Sequence, residues 1–298
     1  MNPILSEILD ILNIETVERN LYRGKNHNTE HVFGGQVLAQ ALTAAYRTVE
    51  TDHQLHSMHA YFIRAGDWQA PILYEVDRIR DGRSFTTRRV AAIQHGRAIF
   101  TLSCSWHKQE EGLLHSQPMP DVPPPDSLRG ELEVFRDLAK KFPDVARYSF
   151  RFEAIDSRQV ERIPMGDPQE YPPFKHTWLR ARDPLPDDPE VHIALLAYMS
   201  DLDFMSTSML PHRGTLERES IRGASLDHSL WFHRPFRADE WLLFAKESPN
   251  ANGARGFVRG HFFTQSGELV ATAAQECLIR PIGDAREKLL AQAAAPSS

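Results

Sequence analysis

Cysteine is nearly absent: Cys104 and Cys277 are the only two in 298 residues, and neither stands in a CxxC pair or at a His/Cys metal spacing. A disulfide framework and a zinc site are therefore not expected, and a reducing cytoplasm fits this usage. No long apolar run is present, so no membrane span is expected. The opening stretch MNPILSEILDILNIETVERN lacks a basic start and carries Glu7, Asp10 and Glu15 among its apolar residues, unlike a signal peptide. The closing Ala-Pro-Ser-Ser is not of the peroxisomal tripeptide type. Basic charge is not in excess: 34 Lys and Arg face 40 Asp and Glu, for a net charge of -6, which argues against a general nucleic-acid binder. A local basic patch for an anionic ligand stays compatible with that balance.

Signature motifs are missing as well. Without G-x-S-x-G there is no nucleophile elbow. Without a P-loop or a G-x-G-x-x-G opening a helix there is no phosphate cradle, because Gly253-Ala254-Arg255-Gly256 stands before a strand. His56 and His59 fall at a strand start, where residues three apart point to opposite faces, so they do not make a metal pair. No cofactor or metal is implied.

What is present is a repeated order of elements. Ile4, Leu5, Ile8 and Leu12 outline a short amphipathic helix. Gly34-Gly35 then opens a helix over Gln36–Thr48, rich in Ala, Leu and Gln. Strand-like runs follow at Ser57–Ile63, Ile72–Ile79, Phe85–Gln94 and Arg97–Trp106, with a hairpin turn at His95-Gly96. The stretch QPMPDVPPPD from Gln117 to Asp126 can sustain neither helix nor central strand, and reads as a linker. A short helix is expected at Glu131–Phe142.

The second half repeats the plan. Strands are expected at Phe152–Val160 and His176–Ala181, and a helix at Pro189–Ser200, with Asp201–Met209 as its extension. Strands follow at Leu226–Phe232, Trp241–Glu247, Gly256–Gln265 and Glu268–Ile279. Three strings recur in order. Met58–Phe62 resembles Asp227–Phe232, Arg64–Trp68 resembles Arg237–Trp241, and Gln94–Ile99 resembles Gln265–Val270. An internal duplication decides the architecture. Each unit is a helix followed by antiparallel strands, an α+β arrangement in which a curved sheet wraps one helix. The expected boundaries are 1–116 for the first repeat, 117–147 for the linker and short helix, 148–283 for the second repeat and 284–298 for a frayed tail. With 41% hydrophobic residues, either half can bury its own core.

Three polar residues stand in apolar surroundings. Asp201 follows LLAYMS and precedes Leu202 and Phe204, where burial would raise its pKa toward that of a general base; it could equally cap the helix. Gln275 lies in LVATAAQECLI and must find partners if buried, or face solvent at a sheet edge. Ser225 precedes a strand, where a serine can bond locally to backbone.

Six strings together resemble the acyl-coenzyme A thioesterase II family along nearly the full chain. They are VFGGQVLAQAL (Val32–Leu42), HAYFIRAGD (His59–Asp67), RDGRSFTTRRVAAIQHGRAIF (Arg80–Phe100), LLAYMSDLDF (Leu195–Phe204), SLDHSLWFHRPF (Ser225–Phe236) and ARGFVRGHFFTQSGELVATAAQE (Ala254–Glu276). The resemblance implies two tandem hotdog folds, each an antiparallel sheet wrapped around a central helix. It also implies hydrolysis of fatty acyl-CoA to free fatty acid and coenzyme A. The family's Asp, Thr or Ser, and Gln fall on Asp201, Ser225 and Gln275. Serine stands where bacterial members carry threonine, and the hydroxyl is kept. Gly34, Gly35 and Gln36, at a helix start, are candidate oxyanion donors or substrate contacts; close packing of helix on sheet is the other reading.

Laying Gly96 on Gly267 puts Cys104 opposite Gln275, Ser225 near Leu55 or His56, and Asp201 roughly opposite Gly34 or Gly35. One working site per chain follows. Arg88, Arg89, Arg234, Arg255 and Arg259 are candidates for the coenzyme A phosphates. The resemblance further implies a homodimer or homotetramer. Two alternatives are an enoyl-CoA hydratase, whose Asn-Pro-[Ile/Leu]-His string is missing here, and a non-catalytic acyl-CoA sensor.

Overall fold

The computed structural model describes residues 2–27, 31–50, 52–141, 150–164, 167–213, 220–283 and 285–287. The tail expected to fray lies outside these, apart from 285–287, and so does Phe142 at the end of the expected linker helix.

The first half runs α1 (Pro3–Leu12), β1 (Glu15–Glu18), β2 (Leu21–Gly24), α2 (Gly34–Tyr46), β3 (Gln54–Phe62), β4 (Ile72–Asp81), β5 (Phe85–Gln94) and β6 (Arg97–His107). The second runs α3 (Glu131–Ala139), α4 (Phe150–Ala154), β7 (Ile155–Gln159), β8 (Phe174–Ala181), α5 (Pro189–Ser200), β9 (Ile221–Ser225), β10 (Asp227–Phe232), β11 (Leu242–Asn252), β12 (Arg255–Thr264) and β13 (Leu269–Pro281).

All strands join one antiparallel sheet in the order β1-β2-β4-β5-β6-β3-β10-β13-β12-β11-β8-β7, with β9 also on β13. The order reads the same from either end once the halves are matched. The halves meet where β3 pairs with β10, and that pairing is centred on His59 opposite Ser229. Within the halves, Met58 pairs with Cys104 and Ser229 with Ala274. The register therefore lays Met58 on His228, Leu55 on Ser225 and Cys104 on Gln275. Two tandem hotdog folds, fused edge to edge, account for this palindrome.

Each half contributes one central helix, α2 and α5, and the two pack against each other in a single continuous core. Burial rather than amphipathicity holds α5, whose residues Ala194–Ser200 are all buried. Asp188 caps its N-terminus by accepting from the Glu190 N–H at 3.0 Å, and Pro189 occupies the first helical position, where no N–H is needed.

Four local expectations change. The helix does not continue from Asp201 to Met209, because Asp203 adopts φ +56 and a 3-10 helix then spans Met205–His212. Burial alone would raise the Asp203 pKa, yet Lys175 and Lys246 hold it well below the usual carboxylate range, and its ion pair with Lys175 pins this turn. Phe152–Val160 is not one strand: Phe150–Ala154 is helical, and Phe152 packs on Phe135 of α3 with ring centroids 5.0 Å apart. Short strands β1, β2 and β9 come in addition to the expected set. The Pro-rich stretch holds no strand and only a short 3-10 turn at Pro125–Ser127, but it is not loose. Met119 and Val122 pack against the cluster of Trp178, Trp241, Leu243, Ala245 and Phe263, and the Pro123 carbonyl accepts from the Trp178 indole N–H at 3.0 Å.

Candidate active site

Asp201 is the C-cap of α5, with φ -90 and ψ -2. It sits at the negative end of its own helix dipole and faces the positive end of another, because the first turn of α2 abuts it. That approach explains two consecutive glycines in a helix start. A Cβ on Gly34 would lie 2.6 Å from the Asp201 Oδ2, and one on Gly35 would run into the Tyr198 carbonyl oxygen and the Phe33 ring. The close packing is thus of helix on helix, with Phe62 of β3 adding a contact from the sheet at Gly34.

The Gly35 N–H and the Ser225 hydroxyl face the Asp201 carboxylate and act to hold its pKa down. Burial pushes its pKa up to about 7, against the opposing pull of Arg151, Gly35 and Ser225. Its side chain is only half-buried by area, so it is crowded by protein yet open on one side. The Arg151 guanidinium lies over the Phe33 ring, 3.9 Å from its centroid, and contributes the nearest positive charge.

Ser225 ends β9, opposite Cys277 in the register, just before the chain bends at Leu226 into β10. Gln275 is 1% exposed and comes from β13, a central strand flanked by β10 and β12, so it is not an edge residue. Its Nε2 donates to Ser225 Oγ at 2.8 Å, and its Oε1 lies 2.7 Å from His228 Nδ1. Fully buried His228 in turn places its Nε2 2.9 Å from Ser200 Oγ.

The structure thus brings Asp201, Ser225, Gln275, Gly34 and Gly35 to one place. Gln36 is turned away from it. Its N–H bonds the Phe33 carbonyl at 3.1 Å, and its side-chain amide bonds the Lys25 carbonyl at 3.0 Å and Asn26 Oδ1 at 2.9 Å. Gln36 is therefore withdrawn as an oxyanion donor. Among the arginines, Arg88 is fully buried and bound to Thr48, the Arg80 carbonyl and Asp81, which removes it as a phosphate ligand. Arg89, Arg255 and Arg259 pair with Asp77, Glu276 and Glu247 at 2.8, 2.9 and 2.6 Å.

Sequence reasoning passed over His228, Ser200 and Arg151. The alternation of β10 offered a signal for the first: His228 shares a face with Leu230 and Phe232, and a histidine on a buried apolar face requires partners. Nothing marked Arg151, which stands just before the segment expected to be a strand.

The proposed equivalence of Asp201 with Gly34 or Gly35 is also corrected. Asp201 caps the C-terminus of α5, so its counterpart is Arg47, the C-cap of α2. Gly34 and Gly35 meet Asp201 in space, from the other repeat. Counting back from the two C-caps, Pro189 takes the place of Gly35 and has no N–H to give. The mirror position holds Arg47, Pro189, Leu55 and Cys104 where the site holds Asp201, Gly35, Ser225 and Gln275.

Two family profiles match the chain. The one described as acyl-CoA thioesterase spans residues 148–278, and the one described as acyl-CoA thioesterase N-terminal domain spans 23–107. The chain is 39% identical to acyl-coenzyme A thioesterase 8 of Homo sapiens, covering 92% of this chain and 88% of that protein. It is 36% identical to acyl-CoA thioesterase 2 of Haemophilus influenzae, covering 94% and 99%. Among solved structures, the acyl-CoA thioesterase II TesB2 of Mycobacterium marinum is 44% identical with a TM-score of 0.78, covering 92% of this chain and 98% of that one.

Proposed function

The chain belongs to the acyl-CoA thioesterase family and hydrolyses acyl-CoA thioesters, and on that premise we propose that Asp201, Ser225 and Gln275 hold and activate the attacking water. One observation carries this reading: a carboxylate with its pKa raised to about 7 sits beside a hydroxyl that a buried amide holds at 2.8 Å.

A thioester carbonyl is electrophilic and its thiolate leaves readily, so water needs only orientation and partial deprotonation. The water donates one hydrogen to Asp201 and accepts one from the second N–H of Gln275. Ser225 donates to Asp201 and accepts from Gln275, which closes a ring around the water. The water oxygen bonds to the carbonyl carbon as its proton passes to Asp201. The carbon–sulfur bond then breaks. The fatty acid departs, and the coenzyme A thiolate takes up the proton. Gly35 is engaged with Asp201, which leaves the Gly34 N–H as the α2 donor for the oxyanion. Helix geometry gives that N–H no intrahelical partner.

A base acts when deprotonated. With Asp201 near 7, kcat/KM is expected to fall as pH drops below about 7 and to level off above it. A flat profile between pH 5 and 9 would remove Asp201 as the base.

The mirror position lacks acid, hydroxyl, amide and amide donor, so we assign one working site to each chain. Cys104→Ala should stay within a few-fold of wild-type turnover, whereas Gln275→Ala should lose far more. Equal losses in a thiol-release assay would contradict the single site.

The same reading divides the chain at 1–116, 117–147 and 148–283, with catalytic side chains from the second repeat and Gly34 and Gly35 from the first. Among the described residues no helix is long and apolar enough to cross a membrane, and both cysteines are free and buried. Cytoplasmic residence and assembly into a homodimer or homotetramer complete the proposal.

A further inference from the structure

The hydrogen-bonded chain does not stop at Gln275, and its direction matters. An ionised Asp201 can only accept, so in the site proposed above the Ser225 hydroxyl turns its single hydrogen toward it. Ser225 Oγ must then accept from Gln275 Nε2, which turns Gln275 Oε1 toward His228 Nδ1. That pairing is satisfied only when Nδ1 carries the hydrogen. His228 Nε2 is then a bare acceptor, 2.9 Å from the Ser200 hydroxyl, whose one hydrogen is shared between that nitrogen and the Ala197 carbonyl at 2.8 Å.

We propose that His228, as its Nδ1–H tautomer, is a positioning residue that fixes which end of the Gln275 amide faces the reacting water. This deepens the proposed function and rests on it. With Oε1 engaged by His228, Gln275 presents only N–H groups to the site. The water then accepts from Gln275 and donates to Asp201, leaving a lone pair for the carbonyl carbon. A flipped amide would present its oxygen instead. That oxygen would compete with Asp201 for the water hydrogens, and Ser225 would turn its hydrogen from Asp201 to Gln275. Both amide orientations have similar shape, so packing cannot choose between them. The choice falls to the hydrogen-bond donor behind the amide.

Burial supports the neutral ring this wiring needs: the His228 pKa is pushed down to about 4, with only Gln275 acting to raise it. The repeat supports a dedicated role. Met58 takes the place of His228 in the first half, where Cys104 replaces Gln275 and no amide needs orienting.

The first arm of the test uses wild-type protein, so folding of a variant is not at issue. Two-bond proton–nitrogen correlation spectra of histidine-labelled protein near pH 7, with the His228 signals identified by their loss in His228→Asn, should show Nδ1 protonated and Nε2 bare. A protonated Nε2 would overturn the proposal. The second arm is kinetic. His228→Leu removes the donor and should lower kcat by about tenfold to a hundredfold, as for an unpaired buried acceptor, with KM little changed. His228→Asn keeps an N–H close to the Nδ1 position and should recover most of that loss. Equal losses in the two variants, or a loss confined to KM, would also overturn it. Failure here with Asp201→Asn still inactive would sink only the wiring; an active Asp201→Asn would sink the reading of the site itself.

Discussion

Asp201→Asn is expected to lower kcat/KM by about 10²–10⁴-fold, the usual worth of a positioned general base, with little change in folding. Asparagine has nearly the shape of aspartate and can still accept from the Gly35 N–H and the Ser225 hydroxyl through its oxygen. It cannot take a proton from water. The loss therefore isolates the chemical step. Removing a carboxylate that is costly to bury as an anion should not destabilise the protein, so thermal unfolding should be unchanged or slightly raised. Turnover near the wild-type level, from well-folded protein, would take Asp201 out of the mechanism.

Gly34→Ala is expected to cost about 10²-fold in kcat with only a modest loss of stability. The added methyl would stand 2.6 Å from Asp201 Oδ2, and the neighbour able to move is the carboxylate itself. Phe62 ring atoms at 3.1 Å hem the methyl on the other side. A carboxylate displaced by roughly an ångström no longer meets both Ser225 and the water, and misplacement of that size carries the quoted rate loss. Gly35→Ala should behave differently. Its Cβ meets a backbone carbonyl that cannot swing away, so α2 and α5 must separate and thermal stability should fall more than in Gly34→Ala. Comparing melting temperature with kcat across the two variants separates the effects. Gly34→Ala with wild-type kcat would show that the carboxylate has room the structure does not give it.

The scaffold was legible where one signal dominated. The span of α5 follows from Pro189 and an apolar run too uniform for the surface, and that of β5 from its β-rich composition and the turn after it. The palindromic sheet follows from the internal repeat. Elements decided by tertiary contacts were not legible. Phe150–Ala154 alternates like a strand but is held helical against α3. Past the Asp201 cap the chain turns left-handed at Asp203, which pairs with Lys175, and no local pattern announces that turn. The site was legible only in part. Residue by residue, Asp201 could as well have been a cap, and it is one: the cap position is what aims it at α2. The edge reading of Gln275 fails on topology, which a single strand cannot reveal. The pairing of Asp201 with Gly34 was misread as a repeat equivalence, because two positions facing each other across a pseudo-two-fold need not be copies of one another. His228 announces itself only once its strand face is known.

The central claim is that water, not a side chain, attacks the thioester, and a single turnover in oxygen-18-enriched water tests it most directly. Enzyme in excess over acyl-CoA is quenched after one cycle, and both the acid product and the intact protein are weighed. Direct attack predicts one heavy oxygen in the acid from the first turnover, none in the protein, and no acyl adduct at any quench time. An unlabelled acid with the heavy oxygen retained on Asp201 would show that the carboxylate attacks as a nucleophile. An acyl adduct on Ser225 would show that the hydroxyl does, and either result would contradict the account.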